Sequence, residues 1–453
     1  MTQRKLFRGA ALAASLTIAL PLAACSTSGA GDDDESTTIK VLVSSGHQQF
    51  KPVWDKLSEF TAQTGITVQL DQVGTTDIEG AFQRDVSVGA CTYDNVELLD
   101  GALAGAAPKM ADLTPYLEKS GSSAEKLFSS QVGWTEGAMQ FDGKVAYYPF
   151  YSGAKGIAYR EDLFNDATNK KDFKAKYGYD IPTPPTTPQQ LVDLAEFFTG
   201  RGTQYGIVFS GQGDSGETTL ADVIFRHGVN GYQAEDNNAL WGPANTGNQA
   251  AVVDSARWLT DLVKNGYAPK DVTSMATGEA TSFYTAGNAA MIYDHIYLPW
   301  AQFSAPEVVS KIGKSGSFEP PNFTSGAGGI TFYWGRGIPE CSKHKDASWT
   351  FLQWVMSEEN QKLALSEGQG VYVPTDKNLL AWSVEQGTVP QGVADAVEHS
   401  KPYKVTTATG RVRQKVNLPL VDKLFQGNLT PEEYAKQSGE AMQEEIKASG
   451  LVD

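Results

Sequence analysis

The sequence predicts an α/β protein built from two units, on three observations. Short apolar runs ending in small polar residues alternate with segments of helical periodicity. The alternation begins twice, once at Ile39 and again at Thr187. Length agrees, because 453 residues exceed what one compact core serves at roughly 100–200 residues per domain.

The first alternation opens with Ile39–Val43 (IKVLV), a strand running out into Ser44, Ser45 and Gly46. Val53, Leu57 and Phe60 then share one helical face, and Gly65 ends that helix. Thr67–Leu70 is a second strand and Asn95–Leu99 a third, followed by Asp100 and Gly101. Such an order specifies a mostly parallel sheet with helices on both faces, in which ligands sit outside the carboxyl ends of the strands.

The second alternation starts with Thr187, Pro188, Gln189 and Gln190, a capping box with proline at the first helical position. Its helix continues through Leu191, Leu194, Ala195 and Phe198, and Tyr205–Phe209 (YGIVF) is the strand after it, ending in Ser210 and Gly211. Val252, Ala256, Leu259 and Val263 mark an amphipathic helix that stops near Gly266. Phe283–Asp294 reads as a helix end, a turn and a buried strand, and a glycine-rich turn leads into Ile330–Trp334 (ITFYW). Trp349, Leu352, Val355 and Met356 lie on one helical face. A second capping box, Thr430 to Glu433, opens a last helix with Tyr434, Ser438, Ala441 and Ile446 inward.

The N-terminus reads as an address. Arg4, Lys5 and Arg8 precede the apolar stretch Gly9–Ala24, which falls short of the roughly 20 residues a membrane span needs. Residues 1–24 are therefore a signal peptide, and Leu22, Ala23, Ala24, Cys25 resemble a bacterial lipobox, which implies cleavage before Cys25 and a lipid on its thiol and new amino group. Residues 25–38, with four consecutive acids at 32–35, are too polar to offset their ordering entropy and form a flexible tether. Cleavage removes three positive charges and no acids, taking the formal charge from −16 to −19. A chain that acidic repels a phosphate backbone, so no nucleic acid partner is expected, and the membrane is reached through the lipid anchor alone.

No catalytic pattern emerges. The five histidines are dispersed with no H-E-x-x-H, and no cysteine spacing suits zinc, so neither metal nor cofactor is expected. No G-x-S-x-G elbow occurs. Gly313, Lys314 and Ser315 reproduce the end of a phosphate-binding loop, but Val308 stands where its first glycine is needed. Among 53 acids no glycosidase pair stands out, and a secreted glycoside-acting enzyme remains the alternative from another class.

Six stretches, in order along nearly the whole mature chain, resemble the extracellular solute-binding proteins of ABC importers, in their maltose-binding-like branch. They are VWDKLSEFTAQTGITV from Val53, YDNVELLD from Tyr93, and DGKVAYYPFYSGAKGIAYREDLF from Asp142, in which Arg160 replaces the usual Asn. PPTTPQQLVDLAEFFT from Pro184 follows, with Pro188 in place of a Trp. The most specific is FYTAGNAAMIYDHIYLPW from Phe283, and ASWTFLQWVMSEENQKLALSEGQGVYVP from Ala347 completes the set.

The resemblance implies a two-lobed periplasmic-binding-protein fold of type II, with a ligand cleft between the lobes and three crossings, near Phe150, Pro320 and Gly370. The first lobe would comprise residues 39–150 and 321–370, and the second 151–320 and 371–453. It further implies a monomer, anchored outside the cytoplasm, that binds a carbohydrate, preferably an oligosaccharide, and hands it to an ABC permease without catalysis. Another small solute, such as a polyamine or amino acid, is the alternative ligand.

A sugar site needs flat apolar faces for pyranose C–H surfaces and planar polar groups for hydroxyls. Tyr148, Tyr151, Trp300 and Trp334 are the candidate faces, each weighed against simple core packing. His47, Asp100, Asp294 and His295 follow strands and are the candidate polar groups, each weighed against turn formation. Arg411 and Arg413 are assigned to solvation or lobe packing. The resemblance also puts the strands next to Cys91 and Cys341 in one sheet. If those strands are antiparallel, the two cysteines form a disulfide in an oxidising compartment.

Overall fold

The computed structural model describes residues 37–75, 77–234, 236–368, 372–401 and 406–450. The signal segment, Cys25, most of the tether and the expected crossing near Gly370 lie outside the described residues. Thr38 already belongs to the first strand, so the tether ends sooner than the sequence suggested.

Two sheets organise the chain, both within the compact unit Thr37–Asp453. The strands are β1 (Thr38–Ser44), β2 (Thr67–Val73), β3 (Asn95–Leu99), β4 (Gln140–Phe141), β5 (Lys144–Val145), β6 (Tyr148–Ala154), β7 (Gly156–Arg160), β8 (Tyr205–Phe209), β9 (Ala289–Asp294), β10 (Ser315–Phe318) and β11 (Thr331–Gly337). The first sheet has the order β2-β1-β3-β11-β6 and the second β10-β7-β9-β8, while β4 and β5 form a small hairpin. In the first sheet β1 is parallel to β2 and β3, and β11 runs against both β3 and β6. In the second, β8 is parallel to β9, and β7 runs against both β9 and β10.

These directions decide how the sheets meet. β6 points the same way as β1 and β3 and ends at Ala154; β7 begins at Gly156, opposite Asp294 at the carboxyl end of β9. One residue, Lys155, thus carries the chain from the carboxyl edge of one sheet to the carboxyl edge of the other. The change of sheet falls there rather than near Phe150, which sits in the middle of β6. The return runs from Phe318 to Thr331 and includes Pro320. After the third crossing's expected place, Val373 pairs with Ser152 of β6, and helix Lys377–Glu385 packs on helix Glu358–Glu367. Residues 372–385 therefore sit against the first sheet, beyond the boundary drawn at 370. Helix Gln391–His399 touches β6, β7 and β10 and so straddles both sheets.

Local chemistry explains most element ends. Gly65 takes a left-handed φ of 73° and stops helix Leu57–Thr64. The helix expected as one piece from Val53 is divided, because a tightened bond from the Lys56 N–H to the Val53 carbonyl separates Lys51–Trp54 from Leu57–Thr64. Thr430 and Glu433 form the full reciprocal box at 3.1 and 2.8 Å. Thr187 caps through the Gln190 N–H at 3.2 Å, but Gln190 Oε1 instead accepts from the Thr186 N–H at 2.7 Å, one residue earlier than a box requires. Among the described residues no helix is long and apolar enough to cross a membrane.

Candidate ligand-binding site

At the carboxyl end of the first sheet the chain leaves β1 at Ser44 and turns into His47. The His47 Nδ1 lies 2.8 Å from Glu97 Oε1, and the Arg336 guanidinium donates to Glu97 Oε2 at 2.6 Å. Glu97 and Arg336 are register partners on the antiparallel pair β3 and β11, so the sheet itself fixes this ion pair. Burial pushes the Glu97 carboxyl up, but His47 and Arg336 outweigh it and hold the group below the ordinary carboxylate range. Three rings meet the imidazole edge-on: Trp334 with centroids 4.5 Å apart, Tyr151 at 5.2 Å and Phe150 at 6.0 Å. Trp334 and Tyr151 are themselves register partners on β11 and β6.

At the carboxyl end of the second sheet Asp294 ends β9 and Ser210 follows β8. The Asp294 carboxylate accepts from Lys155 Nζ at 3.0 Å, from the Thr277 hydroxyl at 3.2 Å, from the His295 N–H at 2.7 Å, and from the Ser210 hydroxyl. Lys155 is fully buried at 0% exposure, so the pair is an internal one. Burial again pushes the Asp294 carboxyl up, and the Lys155 charge leads the interactions that bring it below its usual range. Burial, reinforced by the Lys155 charge, depresses the His295 imidazole to about 3, which keeps the ring neutral at any physiological pH. His295 Nε2 lies 3.3 Å from the Thr218 hydroxyl, while its Nδ1 has no hydrogen-bond partner among the described residues. Phe332 of β11 stands 4.8 Å from the same ring, so an aromatic of the first sheet packs on a histidine of the second.

A late residue joins the two ends. Arg413 donates to Glu217 at 3.2 Å and to Asp214 at 2.9 Å, both on helix Gly213–Arg226, and another of its nitrogens lies 3.9 Å from Asp100. Asp100, buried at the end of β3, also accepts from the Gly101 N–H at 2.5 Å. Glycine permits a further close approach. A Cβ on Gly153 of β6 would run into the Tyr297 phenol, whose hydroxyl pairs with that of Tyr151.

His47, Asp100, Tyr151, Trp334, Asp294 and His295 thus gather along the facing carboxyl edges. Two candidates do not. Trp300 opens the short helix Trp300–Phe303 and packs its half-buried ring on Phe303 at 5.9 Å. Tyr148, separated from Tyr151 by a break in the β6–β11 register, points toward Trp349 at 6.4 Å. Of the pair assigned to solvation or lobe packing, Arg411 pairs with Glu445 at 2.7 Å and is half exposed, whereas Arg413 is buried and packs between the sheets. Lys155, Glu97, Arg336, Glu217, Thr218, Tyr297 and Phe332 were missed by sequence reasoning. Lys155 and Arg336 did carry a signal, a lone cation inside an apolar run, which folding permits only when an acid waits opposite.

Cys91 and Cys341 form a disulfide with their Cα atoms 5.9 Å apart. β3 begins next to the end of β11, with Val96 opposite Gly337, so the flanking residues converge.

Two mixed sheets thus turn their carboxyl edges toward a shared group of polar and aromatic residues, an α/β architecture of two sheets. Solved structures share it. The sugar-binding protein MalE from Xanthomonas citri superposes with a TM-score of 0.72 at 16% identity, over 91% of this chain and 98% of that one. The GacH receptor of Streptomyces glaucescens, solved unliganded and with acarbose, gives 0.71 at 17%, over 91% and 99%. Maltose-bound MalE3 of T. maritima gives 0.68 at 18%, over 91% and 100%. No curated protein matches the chain. Residues 44–362, well over half the chain, match the bacterial extracellular solute-binding protein family, and the chain belongs to that family. It is accordingly an extracytoplasmic solute-binding protein and not an enzyme.

Proposed function

We propose that the protein captures a carbohydrate between the two carboxyl edges and delivers it to the permease of an ABC importer. The observation that carries this reading is the site's composition: charged groups already paired within the protein, framed by aromatic faces. Asp294 with Lys155, Glu97 with Arg336, and Glu217 with Arg413 neutralise one another. A neutral ligand suits such a site better than a polyamine or amino acid. Trp334, Tyr151 and Phe332 supply apolar faces for C–H surfaces, and the free Nδ1 of His295 supplies a hydroxyl partner. The maltose and acarbose held by the proteins named above favour an oligosaccharide.

In this reading each sheet, with its helices, is one lobe, Lys155 and residues 319–330 are hinges, and ligand closes one lobe on the other. Cys25 carries the lipid that keeps a monomer at the outer face of the membrane. A thermal-shift screen against a carbohydrate panel tests the ligand class, since a ligand at 100 times its Kd adds roughly 2.7 kcal/mol of stability. Stabilisation by amino acids or polyamines alone would replace sugar as the ligand. Scattering with and without the hit tests closure through the radius of gyration. Release of a Cys25→Ala variant from the membrane tests the anchor.

A further inference from the structure

A cavity of about 430 Å³ lies beside β6, between residues 130–131 and the helices Glu358–Glu367 and Lys377–Glu385. Its volume falls in the roughly 300–1,000 Å³ range of small-molecule pockets. Neither Trp334 nor Asp294 lines it, although Phe150, which does, stands 6.0 Å from His47, and it contains Tyr148, at the opposite end of β6 from Lys155.

Three rings line it, Tyr148, the buried Phe150 and the half-buried Trp382. Its charges are already satisfied. Lys362 Nζ lies 2.6 Å from Glu358 and 5.3 Å above the Trp382 ring, and Asp376 Oδ1 accepts from the Asn378 and Leu379 N–H groups at 2.9 and 3.1 Å. Gln131 is not satisfied. Its side chain is 4% exposed, and its Oε1 has no hydrogen-bond partner among the described residues. The amide cannot be relieved by turning over. The Ser130 hydroxyl already donates to the Leu127 carbonyl at 2.9 Å, so Gln131 must present its NH₂ to Ser130 Oγ at 3.0 Å. The buried oxygen that remains calls for a donor from outside the protein.

We infer that this cavity is a second ligand site, for a single neutral pyranose or alditol. Tyr148 and Trp382 take its C–H faces, and Gln131 Oε1, after a small rotation of its side chain, accepts one of its hydroxyls. Anions are disfavoured because Lys362 is already paired with Glu358 and Asp376 adds a further negative charge to the lining.

The test uses the full mature chain labelled with 5-fluorotryptophan and titrated separately with D-glucose and D-mannitol, each up to about 200 mM. The Trp382 resonance, assigned by Trp382→Phe, should shift saturably with at least one of them. Gln131→Leu should raise that midpoint at least about tenfold. A Trp382 resonance that does not move with either probe overturns the proposal, leaving water as the cavity's occupant. So does a Gln131→Leu variant that titrates like the parent. So does a Trp382 shift that only follows the Trp334 resonance at the same midpoint, since the effect would then originate between the sheets.

Discussion

One guanidinium, that of Arg413, reaches Asp100 at 3.9 Å while bonding Glu217 at 3.2 Å. Asp100 follows β3 of the first sheet and Glu217 lies on the helix after β8 of the second. A residue more than 300 positions after Asp100 thereby ties the carboxyl edges together. Desolvation works against the buried cation, but Glu217 and its neighbours outweigh it and hold the guanidinium firmly protonated.

Arg413→Ala should therefore cost about 3–5 kcal/mol of stability, because it leaves buried carboxylates without their counter-charge. Arg411→Ala, two residues earlier, should cost less than about 1 kcal/mol, since its pair with Glu445 is half exposed and screened. Denaturant unfolding of both variants measures the difference. Equal small losses would mean that water reaches the Arg413 cluster.

The tryptophans should separate in binding. Trp334→Ala should weaken carbohydrate affinity by at least about 1.4 kcal/mol, tenfold in Kd, because its ring flanks His47 inside the site. Trp300→Ala should leave affinity unchanged, its ring being spent on Phe303. Calorimetry well below each variant's melting temperature reads affinity per folded molecule. Unchanged affinity in Trp334→Ala would return that indole to the core.

What was legible in the sequence follows the range of the forces involved. β3 and β8 were read to the residue, because a short apolar run bounded by turn formers is a local signal. The ends of strands were legible for the same reason, and they yielded His47, Asp100, Asp294 and His295. Tyr148 and Tyr151 looked equivalent in one dimension, and the register break in β6 between them gives their rings different neighbours, Trp349 and His47. The partners of Arg413 were not legible, because its acids lie about 200 and 300 residues away, where no spacing rule reaches. The break after Trp54 was invisible as well, since a tightened turn leaves the apolar periodicity intact.

The disulfide should act chiefly on the unfolded chain. Cys91 and Cys341 close a loop of 250 residues, so their removal should cost about 2–4 kcal/mol. Thiol counting on denatured, unreduced mature protein should find neither free. A Cys91→Ser/Cys341→Ser double variant with unaltered denaturation would show that the β3–β11 pairing suffices without it.

The last expectation concerns pH. His295 titrates near 3 when folded, and a solvated histidine near 6.5. Between those values the unfolded chain holds a proton on this residue that the folded one refuses, so stability rises with pH across the window. The contribution is complete above about 6.5 and is lost as pH falls, by roughly 1.4 kcal/mol per unit. His399 works in the opposite sense, because its bond to Glu319 raises its pKa, and His227, lowered by burial, adds to the His295 trend. Comparison with a variant therefore isolates the residue. Unfolding free energies at pH 5.0 and 6.5 should differ by about 2 kcal/mol more in the parent than in His295→Gln, whose amide can still meet Thr218 but does not titrate. Equal pH slopes in the two proteins would mean that the buried ring takes up its proton as readily as a solvated one, and that Lys155 and burial do not control it.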